Sequence, residues 1–379
     1  MVIFAIVLCV AYLVRKDFSL KKLKWIDGIV LAMALLAFVT FLRFPGADTF
    51  PYLCKCLSAY LVYFLGRFGY MHIEKCTKGI VWSSYGILYA NFIYRIITQK
   101  GLIFKITNEG ELYYYKTDMA FGMIMAAIFI FFLGKRVIEK YISVFFVLPT
   151  MVMFSGARMQ WFCLAAFYLL VILYMVEKKK GKAIRLGWKK VLIFLGVAAA
   201  LFVSMIALLS NEKIAGALNF RTFDFSEGIF SETNTHSRGK VWPYIISQVN
   251  QADLPDKLFG QKWNGESTLL SEYRQATGEA VFEIHDSHNM YIKLLFSTGY
   301  VGLVLFIVFW ITIFVYYYRA ENRKMYYVSF ATALLFLMSG ISISAIVLTQ
   351  MSWFAFLYAG VIVSERMEGK KDDSSEEKV

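Results

Sequence analysis

The sequence predicts an all-α, polytopic membrane protein of about 11 transmembrane helices with one large extracytoplasmic loop. Three observations lead to this fold class. Apolar residues make up 59% of the 379-residue chain, more than an ordinary soluble domain contains. Long apolar runs recur throughout the sequence, and the charged residues, 18% of the chain, collect between them. A soluble fold of this size cannot bury so much apolar surface, so we expect lipid to be the main solvent.

A span is predicted wherever an apolar run can cross the hydrocarbon core, which takes roughly 20 residues of helix. The first run is short, but no small-residue cleavage site precedes Arg15, so we interpret it as a span rather than a signal peptide. About eight spans then fall within 1–209 and the last three within 289–363. In chain order the predicted spans are 1–14, 26–42, 50–66, 80–97, 119–133, 141–154, 161–176, 191–209, 290–318, 325–339 and 345–363.

The distribution of basic residues predicts the side of the membrane on which each segment lies. Six connecting segments, alternating along the chain, hold most of the Lys and Arg; 177–190 contains seven and 15–24 contains five. Cytoplasmic segments carry such an excess, so we place these segments, with the tail 364–379, in the cytoplasm. The net charge of +13 has the same explanation, and we expect no nucleic-acid partner.

Residues 210–288 form the one long segment predicted outside the membrane. This loop holds three of the four histidines, together with apolar residues such as Trp242 and Trp263 that a disordered segment would lack. We therefore expect a small folded cap, with a first helix over about 238–250 and a turn at 253–256.

An enzyme outside the cytoplasmic membrane needs a substrate that carries its own activation, because no ATP or nucleotide sugar is expected there. A lipid-linked phosphate or diphosphate sugar is such a substrate. Its transfer requires cations at the leaving group and a base near the attacking hydroxyl. The five cysteines show no paired spacing, and phosphate-loop and His-Glu-x-x-His signatures are absent from the sequence, so neither a metal site nor a cofactor is expected.

Basic residues in or beside predicted spans are the first candidates for binding the anion. Arg158 immediately precedes the span 161–176 at its outer end, where a guanidinium and the positive end of a helix dipole would bind phosphate. Arg95 and Lys293 lie within spans, and charges inside a membrane usually serve function. Snorkelling of the side chain to the interface is the alternative explanation for all three residues.

The candidate base lies in His285-Asp-Ser-His288-Asn289, where the loop enters the next span. If the helix has begun there, positions 285, 288 and 289 share one face, and Asp286 or Ser287 is the N-cap. His288 would then act as a base or a hydrogen-bond donor at the substrate oxygen. A structural histidine that ties the loop to the bundle is the alternative.

Two loop arginines, Arg221 and Arg238, complete the candidates, although a solvated loop arginine is the commoner case. Glu279 and Glu283, four residues apart, could supply a carboxylate base, but such pairs usually lie on solvated helix faces.

The order of these motifs resembles that of the O-antigen polymerase and ligase superfamily, the Wzy-like membrane glycosyltransferases. One departure is that Lys262 stands where the family often has a second glycine after Gly260. The resembling residues are Ser155-Gly-Ala-Arg158, Ser237-Arg238-x-x-x-Trp242, Leu258-Phe-Gly260, His288-Asn289-x-Tyr291 and Leu294-Leu-Phe-Ser-Thr-Gly299-Tyr-Val-Gly302.

The resemblance implies a multi-pass protein of the bacterial cytoplasmic membrane that polymerises undecaprenyl-diphosphate-linked oligosaccharide units into a surface polysaccharide. It implies catalytic roles for Arg158, Arg238 and His288, with Asn289 in support, and no metal. Arg221 matches only a loosely placed basic position. His285, Arg95 and Lys293 are further candidates for substrate binding. A chain-length regulator and a flippase would be its protein partners.

Two other functions stay open at this point. A ligase that passes glycan to another acceptor would carry overlapping motifs. A flippase or transporter without chemistry is a different class, and transporters commonly contain internal repeats and midplane charges. We find no repeat in this sequence, and charge accumulates in one outer loop.

Overall fold

The computed structural model describes residues 23–98, 116–153, 158–180, 238–277, 286–318 and 322–376, with the isolated positions 196, 204 and 320. Within these ranges the regular secondary structure is helical throughout, which confirms the all-α class. The chain divides into two compact units. The first unit comprises Met1–Tyr70, Ser226–Arg319 and Gly340–Val379, and the second comprises Met71–Phe225 and Ala320–Ser339.

The long helices overlap predicted apolar runs, whereas the helices within 238–277 lie in the predicted loop. A π-helical turn, Ser143–Val147, joins α5 to α6, and a 3-10 turn, Ala345–Val347, precedes α13. In chain order the α-helices are α1 (Trp25–Arg43), α2 (Phe50–Phe68), α3 (Tyr70–Thr98), α4 (Lys116–Leu133), α5 (Val137–Ile142), α6 (Leu148–Met153), α7 (Arg158–Lys180), α8 (Arg238–Gln251), α9 (Leu254–Phe259), α10 (Gly265–Thr277), α11 (Met290–Tyr318), α12 (Arg323–Ser339) and α13 (Thr349–Glu376).

Helices suited to a membrane occur in both units. Three are long and apolar enough to cross it, namely Trp25–Arg43, Met159–Lys180 and Met290–Tyr317, and two shorter apolar helices are Ala120–Leu133 and Met351–Ser364. These helices support a membrane protein, whereas the total of 11 spans stays a prediction. The predicted spans 1–14 and 191–209 fall outside the described residues, apart from positions 196 and 204.

Helices α2 and α13 pack along each other in the first unit. Trp353 Nε1 donates to Ser58 Oγ at 2.8 Å, and Ser364 Oγ donates to the Arg67 carbonyl at 2.6 Å. Because the paired residue numbers rise together, the two helices run parallel. Glycines permit the close approach: a Cβ at Gly66 would fall on the carbonyl of Leu357 on α13.

The other long helices of the first unit run in the directions that the predicted order of crossings requires. The Tyr63 hydroxyl on α2 donates to Asp27 at the start of α1 at 2.7 Å, so α1 runs antiparallel to α2. The Tyr63 ring also packs on Phe309 of α11, and Tyr52 lies beside Lys293, so α2 and α11 run parallel. One end of this unit therefore carries the end of α1 together with the starts of α2 and α11.

Helix α11 is interrupted at Gly299, where φ is 66° and ψ is −171°. Gly260, with φ of 86°, lies against this break, and the amide of Gln261 donates to the Phe296 carbonyl at 2.8 Å. A Cβ at either glycine would fall on backbone atoms of the other segment. The two glycine motifs noted in the sequence thus form one contact, between the end of α9 and the break in α11.

The segment around α9 is also fixed to α1. Arg43, the last residue of α1, donates from Nη1 to the Gly260 carbonyl at 3.0 Å and forms an ion pair with Asp256. Thr40 Oγ1 donates to the Phe259 carbonyl at 3.1 Å. Residues 254–259 form a helix where the sequence predicted a turn at 253–256, because Pro255 at the second position is compatible with a helix start.

Residues 238–277 fold against the first half of α11, as expected for a folded cap. On α8 the buried residues recur at intervals of four, which gives the helix one apolar face. This face packs with α10 and α11 in a core of Val241, Ile245, Val249, Leu270, Ile292, Leu295 and Phe296.

In the second unit, α7 and α12 run antiparallel. Cys163 Sγ lies 3.3 Å from Ser339 Oγ at one end of this pair, and Arg323 makes two hydrogen bonds to the Glu177 carboxylate, at 2.6 and 2.8 Å, near the other. The Tyr327 hydroxyl donates to the same carboxylate at 3.0 Å. Both oxygens of this buried carboxylate therefore accept hydrogen bonds.

Replacing Gly299 by Ala should lower the free energy of unfolding by about 2 kcal/mol or more, because its backbone conformation is essentially restricted to glycine and a Cβ would meet the Leu258 carbonyl. Gly28→Ala on α1 is the matched control: a Cβ there meets nothing within 4 Å, so stability should be unchanged or rise by about 0.5 kcal/mol. Thermal unfolding of the purified protein in detergent measures both. Equal midpoints for the two variants would contradict the role of Gly299.

Candidate functional site

The candidate site lies where the loop enters α11, at residues 286–293. Asn289 is the N-cap of the helix: its Oδ1 accepts hydrogen bonds from the amides of Tyr291 at 2.9 Å and Ile292 at 3.1 Å. Its Nδ2 donates to the Ile341 carbonyl at 3.1 Å. An aspartate could not make this last bond, so the position requires an amide.

The helix therefore begins at Met290, and the expectation that Asp286 or Ser287 caps it was wrong. His288 precedes the cap with φ of 47°, a left-handed conformation, so it does not share a helix face with Asn289. Such a conformation costs roughly 1 kcal/mol in a non-glycine residue and persists only where its neighbours enforce it.

The neighbours of His288 hold this turn from both sides. Ser287 Oγ donates to the Asn289 carbonyl at 3.2 Å, and Trp242 Nε1 on α8 donates to the Ser287 carbonyl at 2.8 Å. The His288 side chain is half-buried. The turn thus presents an imidazole on a backbone that is fixed by the loop helix α8 and by the start of α11.

A buried ion cluster lies directly beneath this turn. Lys293 Nζ lies 2.6 Å from Glu266 Oε1 and 3.3 Å from Asp286 Oδ1, and we name these three residues the Lys293 cluster. The side chains of Lys293 and Glu266 are 1% and 0% exposed, whereas that of Asp286 is 30% exposed. A buried ammonium requires such partners, because an unpaired charge in this position would be strongly destabilising.

Polar and aromatic groups complete the surroundings of the Lys293 cluster. Ser344 Oγ donates to Asp286 Oδ1 at 2.9 Å, and the Ser287 amide donates to Glu266 Oε1 at 3.4 Å. The ring of Tyr52 on α2 lies 5.2 Å from Lys293 Nζ, a cation–π distance. The Lys293 cluster therefore joins α2, α10, α11 and the segment before α13.

The two carboxyl groups have opposite pKa shifts. Burial raises the pKa of Glu266 to about 8, although the Lys293 ammonium opposes the change. Burial also acts against ionisation of Asp286, but the hydrogen bond with Glu266 and the charges of Lys293 and His288 hold its pKa below the ordinary value. At neutral pH this arrangement favours one proton on Glu266 and a charged Asp286.

The structure brings together three of the residues singled out from the sequence: His288, Asn289 and Lys293. Lys293 points into the protein as a buried ion pair, so the snorkelling alternative was wrong. Arg238 is the first residue of α8, one helical turn before Trp242 and on the same face, which places its backbone on the side of α8 that meets the His288 turn.

The other candidates are placed only in part. Arg158 begins α7 and Arg95 lies in α3, both in the second unit, and their side chains lie outside the described part of the structure. Arg221 and His285 lie outside the described residues, as do Glu279 and Glu283.

Sequence reasoning missed the two carboxylates that pair with Lys293. A lysine in an apolar run signals that an acidic partner exists, but the loop offers many acids. Glu266, 27 positions away, resembles an ordinary solvated acid in the first turn of a helix. The sequence suggested Asp286 only as a possible N-cap of the next helix.

Comparison with known proteins adds no relative: no protein-family model matches the chain, and no curated protein matches it.

Replacing Lys293 by Met should lower the free energy of unfolding by about 3 kcal/mol, because Glu266 and Asp286 lose their buried counter-ion. Adding Asp286→Asn to this variant should recover part of the loss, since the charge that has lost its counter-ion is removed. Lys262→Met, which breaks the exposed ion pair with Asp48, is the control and should change stability by no more than about 0.5 kcal/mol. Purely additive effects in the double variant would contradict the coupling.

Proposed function

We propose that this protein is a membrane glycosyltransferase that polymerises oligosaccharide units linked to undecaprenyl diphosphate into a surface polysaccharide. The observation that carries the proposal is the constrained His288 turn above the Lys293 cluster, at the end of a bundle of apolar helices. A fixed imidazole at this place suits proton transfer from a hydroxyl whose lipid-linked partner is held by the membrane.

In the proposed reaction, the hydroxyl oxygen of one unit attacks the anomeric carbon of the growing chain. A new glycosidic bond forms while the bond between that carbon and the diphosphate oxygen breaks. The hydroxyl proton passes to His288, and undecaprenyl diphosphate leaves with the electron pair. The charged Asp286 favours the imidazolium that results, since Asp286 and His288 attract each other. The leaving diphosphate requires separate cations.

Arginines are proposed as these cations. Arg238 is supported by the backbone position of α8, whose Trp242 touches the residue before His288. Arg158 enters the proposal from its sequence motif alone. Arg221, His285 and Arg95 are retained as proposed substrate-binding residues on the sequence alone.

The proposal includes 11 spans in the bacterial cytoplasmic membrane, with 210–288 outside and 364–379 in the cytoplasm. The directions of four helices support this topology. In the predicted order of crossings α1 runs outward, whereas α2, α11 and α13 run inward. This agrees with α1 packing antiparallel to α2, and with α11 and α13 packing parallel to it. The helices α8 to α10 pack at the end of the bundle that this topology assigns to the outer face.

Arg238→Ala and His288→Gln should each lower the rate of chain growth by at least about 100-fold, because the first removes a cation that stabilises the leaving diphosphate and the second removes the proton acceptor. Arg274→Ala on α10 is the matched control, an exposed loop arginine whose loss should leave chain growth intact. Gel analysis of lipid-linked and surface glycan in a complemented deletion strain measures the outcome.

Single lipid-linked units should persist in the inactive variants. Accumulation of long lipid-linked polymer would instead identify a ligase. Undiminished chain length in both variants would refute the assignment, and so would purified protein that moves the lipid-linked substrate across a bilayer without forming product.

A further inference from the structure

Glu266 has contacts that an ion pair alone does not require. Its Oε1 accepts from Lys293 at 2.6 Å and from the amide of Ser287, the residue before His288, at 3.4 Å. Its Oε2 is buried and accepts no hydrogen bond from the described residues. A buried carboxylate oxygen without a donor is unfavourable, whereas a protonated carboxyl has a hydrogen to give. The surroundings of Glu266 therefore favour its protonated form next to the His288 turn.

The charges around Glu266 lead to the same conclusion. Two carboxyl groups, Glu266 and Asp286, contact one ammonium, so the ionised cluster would bury an excess negative charge. The described elements that pack here supply few other charges, and α8 contributes the uncharged Trp242. The remaining titratable groups are His288 beside Asp286, Tyr52 and Cys56 on α2, and Lys55, whose amino group lies over the Tyr52 ring.

We propose that Glu266 is a positioning residue for His288, and that a proton shared between Glu266 and Asp286 keeps the His288 turn in its left-handed conformation. With this proton present, Glu266 donates to Asp286, which agrees with the lowered pKa of Asp286. Lys293 donates to Glu266 Oε1 and Asp286 Oδ1, and Ser344 donates to Asp286 Oδ1. The inference deepens the proposed function, since the position of His288 affects catalysis only if His288 takes part in the transfer.

Loss of the proton changes this contact from a hydrogen bond into repulsion between two carboxylates. Asp286 is the more exposed of the two carboxyl groups, so it is the one that moves towards water. Only one residue, Ser287, separates it from His288 in the chain, so its movement pulls on the turn. The turn then loses the restraint supplied by Asp286, and the hydrogen bonds of Ser287 and Trp242 hold its backbone less tightly. The raised pKa of Glu266, about 8, agrees with a proton that is present at neutral pH and leaves in mildly alkaline solution.

Control of the His288 turn by the proton on Glu266 predicts an unusual dependence of the transfer rate on pH. An imidazole base acting alone gives a rate that rises with pH and then stays level. Glu266 adds a fall in rate above about pH 8, because deprotonation releases the turn. Glutamine cannot lose a proton and still donates a hydrogen bond, so Glu266→Gln should retain the rate at neutral pH and abolish the fall.

The test uses the full-length protein in lipid nanodiscs, with the ring carbons of its four histidines labelled for NMR. His288→Gln assigns the His288 signal. In the wild type this signal should show a step with a midpoint near pH 8, and Glu266→Gln should remove the step. Glu272→Gln, an exposed carboxyl on the same helix, is the control that should retain it.

Asp286→Asn is the second variant, and it tolerates substitution because its side chain is partly exposed. It should also remove the step, since a neutral amide does not repel ionised Glu266. A wild type without the step, or a step that survives in Glu266→Gln or Asp286→Asn, would overturn the role of Glu266.

Chain growth measured with lipid-linked substrate between about pH 6 and about pH 10 separates this inference from the proposed function. If no variant forms product but the NMR step depends on Glu266, the proposed function fails and the control of the turn by Glu266 stands. If product forms and the fall in rate is the same in the wild type and Glu266→Gln, the proposed function stands and the role of Glu266 is refuted.

Discussion

The buried ammonium of Lys293 ties together segments that are distant in the sequence. It contacts Glu266 on α10 and Asp286 before α11, and it lies beside Tyr52 on α2. Because removing one partner of a buried ion pair is strongly destabilising, these segments must stay together for the unit to be stable. Ser287, the residue before His288, donates its amide to Glu266, so the His288 turn is attached to the same cluster.

The hydropathy of the sequence located the long apolar helices that the structure describes. It did not identify the partners of charged residues. The predicted span 26–42 corresponds to Trp25–Arg43, because a long apolar run in lipid has few alternatives to a helix. His288 and Lys293 were found together because they are close in the sequence. Glu266 was missed, since its pairing with Lys293 is decided by how α10 packs on α11, which no local pattern encodes.

The break in α11 shows the same limit. Residues 290–318 form one apolar run, and Gly299 within it resembles the many glycines that membrane helices tolerate. The backbone turns there because the Gly260 segment occupies the adjoining space. The part of α11 after the break is about 28 Å long, close to the thickness of a hydrocarbon core. The part before it, which carries Lys293, is therefore available to bind the loop helices.

The parallel packing of α2 and α13 has a consequence for synthesis of the protein. The two helices are separated by nearly 300 residues, and their glycine contacts, at Gly66 and Gly360, form only after the C-terminal helix has left the ribosome. Until then the face of α2 that carries Gly66 has no helix packed on it, and lipid or the insertion machinery must cover it. A nonsense mutation that removes only α13 would leave α2 without the helix that packs along it in the first unit.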